Sequence, residues 1–151
     1  MKRFRFPLRP VAVLRAHRET RAQEAFAAAV HVYVQAEDAL ARTRIRMRAL
    51  ESELSQSREQ RFHPAEAALL LTDYRRESTR EIEAEGLVIT ARDAMQKRRA
   101  EYLEAHRDLE IVERLESKAR AAHRHENERA EQAEADDFAG RRRVEPFAIS
   151  L

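Results

Sequence analysis

With 151 residues, 37% of them charged and only 6% aromatic, the chain has the length of one domain but too little bulky apolar material for a thick globular core. Its 29 Lys and Arg against 27 Asp and Glu leave a formal charge of +2, too balanced for a dedicated polyanion binder; the basic excess is local, at Lys2, Arg3, Arg5 and Arg9 and again at Arg141, Arg142 and Arg143. The absence of cysteine excludes disulfides and thiolate chemistry, and no run of about 18 apolar residues is present to span a bilayer.

In chain order, the first element is a basic, aromatic arm over residues 1–10. Met1-Lys2-Arg3-Phe4-Arg5-Phe6-Pro7 lacks the apolar core and small-residue cleavage site of a secretory signal, so a cytoplasmic location is expected. From Pro10 to Pro64 there is neither Pro nor Gly, and Ala, Glu, Arg and Leu dominate, which predicts a helix over about 11–61. Tyr33, Ala36, Leu40, Thr43, Met47, Leu50 and Leu54 alternate 3 and 4 apart, the spacing of a coiled-coil seam, and Leu14, Ala22, Phe26 and Ala29 carry it upstream. The break at 62–64, Phe62-His63-Pro64, ends on a proline suited to a helical first turn, and a second helix follows over about 65–138, interrupted only by Gly86. Its apolar face is read as Leu71, Tyr74, Ile82, Ile89, Met95, Tyr102, Leu109 and Val112, with Leu70 off the seam. Asp38 with Arg42, Asp93 with Lys97, Glu110 with Arg114 and Glu116 with Arg120 are acid-first i,i+4 pairs expected on a solvated face. A tail, 139–151, closes the chain.

The fold class that follows is all-α: a long two-helix antiparallel coiled-coil hairpin, one domain over 1–151, with the second helix longer than the first. A turn between 62 and 63 requires facing residue numbers to total near 125. Leu54 is then set near Leu71, Leu50 near Tyr74, Thr43 near Ile82, Ala36 near Ile89 and Ala29 near Met95. The second helix should outrun the first by roughly two dozen residues, about 35 Å at 1.5 Å per residue. Phe4, Phe6 and Leu8 are placed to cover its flank near Ala119 and Ala122. Beyond that, His123 to Asp137 holds no large apolar residue and would be a marginal helix unless something binds it. Gly86 marks a bend, a close contact or a tolerated surface position.

Little in the sequence carries reaction chemistry. Two isolated glycines cannot build a phosphate-cradling loop, so P-loop and Rossmann nucleotide binding are excluded, and no cofactor is expected. His123 and His125 stand two apart, about 200° around a helix, and cannot chelate one ion; His17, His31, His63 and His106 lack an i,i+4 histidine partner, so no metal site is expected. A two-helix seam supplies little burial to perturb carboxylates such as Asp136 and Asp137, so no catalytic residue is expected and the chain reads as no enzyme.

The opening Met1-Lys2-Arg3-Phe4-Arg5-Phe6-Pro7-Leu8, followed by Val13-Leu14-Arg15 and Glu19, resembles the N-terminal start of the flagellar export protein family FliJ, stalk-like coiled-coil proteins of type III secretion. Glu128, Glu131 and then Asp136-Asp137-Phe138-Ala139-Gly140-Arg141 resemble that family's C-terminal pattern of spaced acids. Asp137 stands where the family usually has Glu, and Ala133 and Glu134 where basic residues are common. Tyr74 matches an aromatic position after the turn, with Ser78 where the family carries Leu. The resemblance implies a non-enzymatic stalk or chaperone component of the flagellar export apparatus. It would associate with the hexameric export ATPase and couple it to the cytoplasmic or linker region of the membrane export gate, with export chaperones or substrates as further partners. It would lie in the cytoplasm, peripheral to the membrane. Arg3, Arg5, Phe6, Glu128, Glu131 and Asp137 are the residues it assigns to the ATPase contact, and Leu70, Leu71 and Tyr74 to the gate. No small-molecule ligand is implied. Two other classes share this composition: an unrelated structural coiled-coil adaptor, which would self-associate as extended helices, and a nucleic-acid-binding helical arm, whose affinity would fall steeply with salt.

Overall fold

The computed structural model describes residues 3–60 and 63–142, the last by its backbone alone. Met1 and Lys2 of the arm, Arg61 and Phe62 of the turn, the Arg142 side chain, Arg143 and the remainder of the tail lie outside the described residues. Among the described residues two helices are present, α1 over Arg9–Glu59 and α2 over Pro64–Arg142, 51 and 79 residues long. The fold is the all-α antiparallel two-helix coiled coil with the longer second helix. α1 begins two residues earlier than the sequence predicts because Pro10 falls in its first turn, where a missing N–H removes no intrahelical bond. α2 runs past 138 and through Gly140.

The chain divides into two compact units, residues 18–105 and residues 1–17 with 106–151. In the 18–105 unit the shielded residues of α1 include an unbroken 3–4 alternation, Ala22, Phe26, Ala29, Tyr33, Ala36, Leu40, Thr43, Met47, Leu50, Leu54 and Ser57, flanked by Ala25, Val30 and Ala39. On α2 they include Ala67, Leu70, Tyr74, Glu77, Glu81, Ala84, Val88, Ala91 and Met95, also an unbroken alternation, with Ser78 beside it and Glu101, Tyr102 and Ala105 further on. Phe26 stacks on Tyr102 with ring centroids 6.1 Å apart. The Tyr74 hydroxyl donates to Glu51 at 3.1 Å, and Arg44 donates to Glu81 at 2.8 Å and to Glu85 at 2.7 Å. In every one of these pairs the residue numbers total within about four of 125, so the predicted register is the one adopted.

The face that α2 turns to α1 differs from the prediction. Leu71, Ile82 and Ile89 are 42%, 69% and 51% exposed, each one position past a shielded residue and so rotated about 100° from it. Leu70, expected off the seam, is half-buried, and Thr43 is buried with its hydroxyl accepting from Arg46, while Ile82, expected near it, turns outward. The cause lies in the sequence: two of the core positions of α2 carry Glu77 and Glu81, so the largest apolar side chains trace a neighbouring stripe. On α1, Leu14 is likewise 53% exposed, and Ala12, Arg15 and Ala16 are shielded in its place.

Of the predicted i,i+4 pairs, Glu110 with Arg114 and Glu116 with Arg120 form at 2.8 and 3.0 Å. Asp93 lies instead 3.9 Å from Arg92, and Asp38 with Arg42 is not an ion pair among the described residues. Of the three readings of Gly86, bend, close contact or tolerated surface position, the structure agrees with the last: the residue is exposed within continuous α2, and a Cβ there would meet nothing within 4 Å. Its backbone is not in the positive-φ region. Gly86→Ala is therefore expected to stabilise the chain by about 1 kcal/mol in urea unfolding, since it removes backbone entropy at no steric cost. A destabilised variant would mean that the position is not open.

Candidate functional site

The 1–17/106–151 unit holds a groove beside its N-terminal arm. Phe6 precedes Pro7, which restricts it to extended backbone and keeps the arm out of the helix. The chain then turns: the Arg9 amide donates to the Phe6 carbonyl at 3.3 Å and the Ala12 amide to the Leu8 carbonyl at 3.0 Å, closing the start of α1. That turn lays the arm against α2. The Phe4 ring packs edge-on to the His123 ring, centroids 5.4 Å apart at 66°, and the Arg120 guanidinium lies 5.5 Å over Phe4. Asn127 Nδ2 stands 3.4 Å from His123 Nδ1. Arg15 Nη1 donates to the Asp108 carbonyl at 2.7 Å, and in the same unit Val112 is only 2% exposed. Between arm and α2 a shallow groove of about 1020 Å³ is lined by Phe4, Arg5, Phe6, Pro7, Arg9, Pro10, Val13, Glu116 and Arg120.

The charge in this groove is uneven. Arg9 and Arg120 both reach Glu116, at 3.5 and 3.0 Å, so one carboxylate serves two guanidiniums while Arg5 has no ion pair among the described residues. Arg3 and Arg5 are exposed and Phe6 is half-buried. Glu128, Glu131 and Asp137 are exposed on α2 past His123, roughly 7, 12 and 21 Å along the helix axis from it at ~1.5 Å per residue. The structure thus gathers Arg5 and Phe6 into the groove but does not bring the three acids to it. Asp136, Asp137, Gly140 and Arg141 line a separate shallow depression.

In the 18–105 unit the gate trio is split. Leu70 and Tyr74, four apart, face α1, and Leu71 points outward. The neighbouring Leu69 is 68% exposed and was missed by sequence reasoning, which followed a single stripe; Leu69 and Leu71 stand on opposite flanks of α2. The bond to Glu51 holds the Tyr74 phenol above its usual pKa, because an ionised phenolate would lose the donor and face the carboxylate.

Sequence reasoning also missed Arg9, Glu116, Arg120 and His123 as parts of the groove. The signal was present: Leu109, Val112, Glu116, Ala119 and His123 continue the 3–4 alternation, so Glu116 and His123 occupy seam positions of α2. Ala119 is shielded as expected under the arm, whereas Ala122, one step round, is exposed.

These features define a coiled-coil protein whose addressable chemistry is carried on helical surfaces and one basic, aromatic groove. The chain belongs to the FliJ family: the family described as "Flagellar FliJ protein" matches residues 4–144, nearly all of it. It is therefore a flagellar export component, from a family of non-enzymatic export proteins. No significant match to a curated protein or to a solved structure accompanies that result. No helix among the described residues is long and apolar enough to cross a membrane.

Proposed function

We propose that the chain is a stalk and chaperone component of the flagellar type III export apparatus that associates with the hexameric export ATPase and couples it to the membrane export gate, at the cytoplasmic face of the membrane. The observation that carries this reading is the family match over 4–144, combined with an α2 that stays helical to Arg142 while every residue from Glu128 to Arg141 is exposed. A helical segment with charge on all sides and no apolar stripe gains little from its own fold and is built to be completed by a partner. Arg3, Arg5, Phe6, Glu128, Glu131 and Asp137 are proposed for the ATPase contact, and Leu70, Leu71 and Tyr74 for the gate. Of the last three only Leu71, 42% exposed, is offered to a partner without rearrangement, and Leu69 joins it.

Pull-down on the cognate export ATPase tests the assignment. A chain ending after Asn127 keeps the Phe4, Arg120 and His123 contacts and removes the acidic segment. It is expected to lose at least about tenfold in ATPase affinity, the loss of a few charge-assisted contacts. Undiminished binding would place the ATPase contact elsewhere.

A further inference from the structure

We propose that the groove under the N-terminal arm is the docking site for a short acidic segment of a partner protein, carrying Asp or Glu beside an aliphatic or aromatic anchor. The proposal deepens the assignment of Arg5 and Phe6 to a partner contact and rests on that reading.

The groove is rich in unmatched positive charge. Arg5, Arg9 and Arg120 line the groove against the single carboxylate of Glu116, which Arg9 and Arg120 already share. Each guanidinium carries five N–H donors in a planar fork matched to carboxylates, so one shared carboxylate leaves most of that capacity unused. The floor of the groove is apolar. Phe4 is held by His123 and Arg120, Phe6 is half-buried, and Val13 is 49% exposed, giving apolar surface next to the cations. A bare anion uses only the cations; a segment with an apolar anchor uses both.

The same unit disfavours a long polyanion. Between Arg124 and Arg141, past the groove, α2 carries Glu126, Glu128, Glu131, Glu134, Asp136 and Asp137 against the single Arg129. A nucleic acid or an anionic membrane lying along α2 meets that acidic run within a few Debye lengths, whereas a short peptide meets the groove alone.

The test uses the full chain and fluorescence anisotropy of a short synthetic peptide in which Glu and Asp alternate with Leu and Phe. Binding is expected, with an affinity at least about tenfold weaker when the Leu and Phe become Ser, or the acids Gln and Asn. Arg5→Glu is expected to weaken the parent peptide about tenfold with an unchanged circular-dichroism melt, since Arg5 supports no intramolecular ion pair among the described residues. Equal binding of the serine peptide, displacement by a single-stranded oligonucleotide or by phosphatidylglycerol vesicles at lower concentration than by the peptide, or self-association that Arg5→Glu dissolves would each overturn the proposal. The outcomes separate from those of the ATPase pull-down. A peptide bound through Arg5 by a chain whose ATPase binding ignores Arg5→Glu sinks the ATPase assignment of Arg5 alone. No peptide binding by a chain that still captures the ATPase through residues 128–141 sinks the groove alone.

Discussion

Val112→Asp is expected to cost about 3 kcal/mol of stability, whereas Ile111→Asp, one residue away on the same helix, costs under about 1 kcal/mol. Val112 is the most enclosed apolar residue described, 2% exposed, and its neighbour Ile111 is 52% exposed. An aspartate at 112 must either be buried without a partner or force the helices apart, and it also gives up the transfer free energy of the valine side chain. At 111 the carboxylate stays in water and costs little beyond helix propensity. The effect is large because the apolar core is thin: Met47, Ala91 and Val112 are the buried hydrophobic residues described, so no second layer compensates for the loss of one. Urea unfolding followed by circular dichroism reads the difference, and amide exchange over 106–123 reads whether the loss is local to the 1–17/106–151 unit. Similar costs at the two positions would mean that α2 is rotated from the face described.

The contrast between 111 and 112 shows what was legible in the sequence. The existence of two helices, their antiparallel pairing and the register near 125 follow from proline placement and from α1, whose seam from Ala22 to Leu54 carries apolar or small residues at almost every step. Propensity and periodicity agree there. On α2 they conflict. Glu77, Glu81, Glu116 and His123 stand at seam positions, so a search for large apolar residues slides one position to Leu71, Ile82 and Ile89. Arg46 and Arg44 compensate for Glu77 and Glu81, but these partners are more than thirty residues away in sequence and become neighbours only once the register is set. The groove was half legible for the same reason. Phe4 and Phe6 read as a covering arm from their position before α1, while Arg120 and His123, which hold Phe4, read as surface charge until the arm is folded over them. Leu69 and the splitting of Leu70 from Leu71 depend on helix rotation, which three consecutive leucines leave undetermined.

Glu77→Leu is expected to stabilise the chain by about 1 kcal/mol and to remove part of its acid sensitivity. Glu77 is 7% exposed at a seam position; Arg46 Nε donates to its carboxylate at 3.2 Å, Arg80 donates to it from one turn on, and Arg46 also reaches the buried Thr43 hydroxyl at 3.2 Å. Burial by itself pushes the carboxyl pKa up, but the hydrogen bonds from Arg46 and then Arg80, with their charges, outweigh it and hold the group below its usual value. A carboxylate whose pKa falls on folding contributes stability that is fully present above the unfolded value, about 4.3, and lost as pH drops through the lower folded one. The unchanged chain should therefore lose this contribution below about pH 4, and Glu77→Gln should not. Leucine goes further than glutamine because both arginines are about half exposed and return to water when the carboxylate is removed, leaving no stranded charge. The leucine then fills a seam position next to Met47 with apolar surface, a gain of the size that outweighs a partly screened ion pair. Urea titrations of the three chains at neutral pH and at about pH 3 decide it. A leucine variant less stable than the parent at neutral pH would show that the Arg46–Glu77–Arg80 cluster contributes more than the packing it displaces.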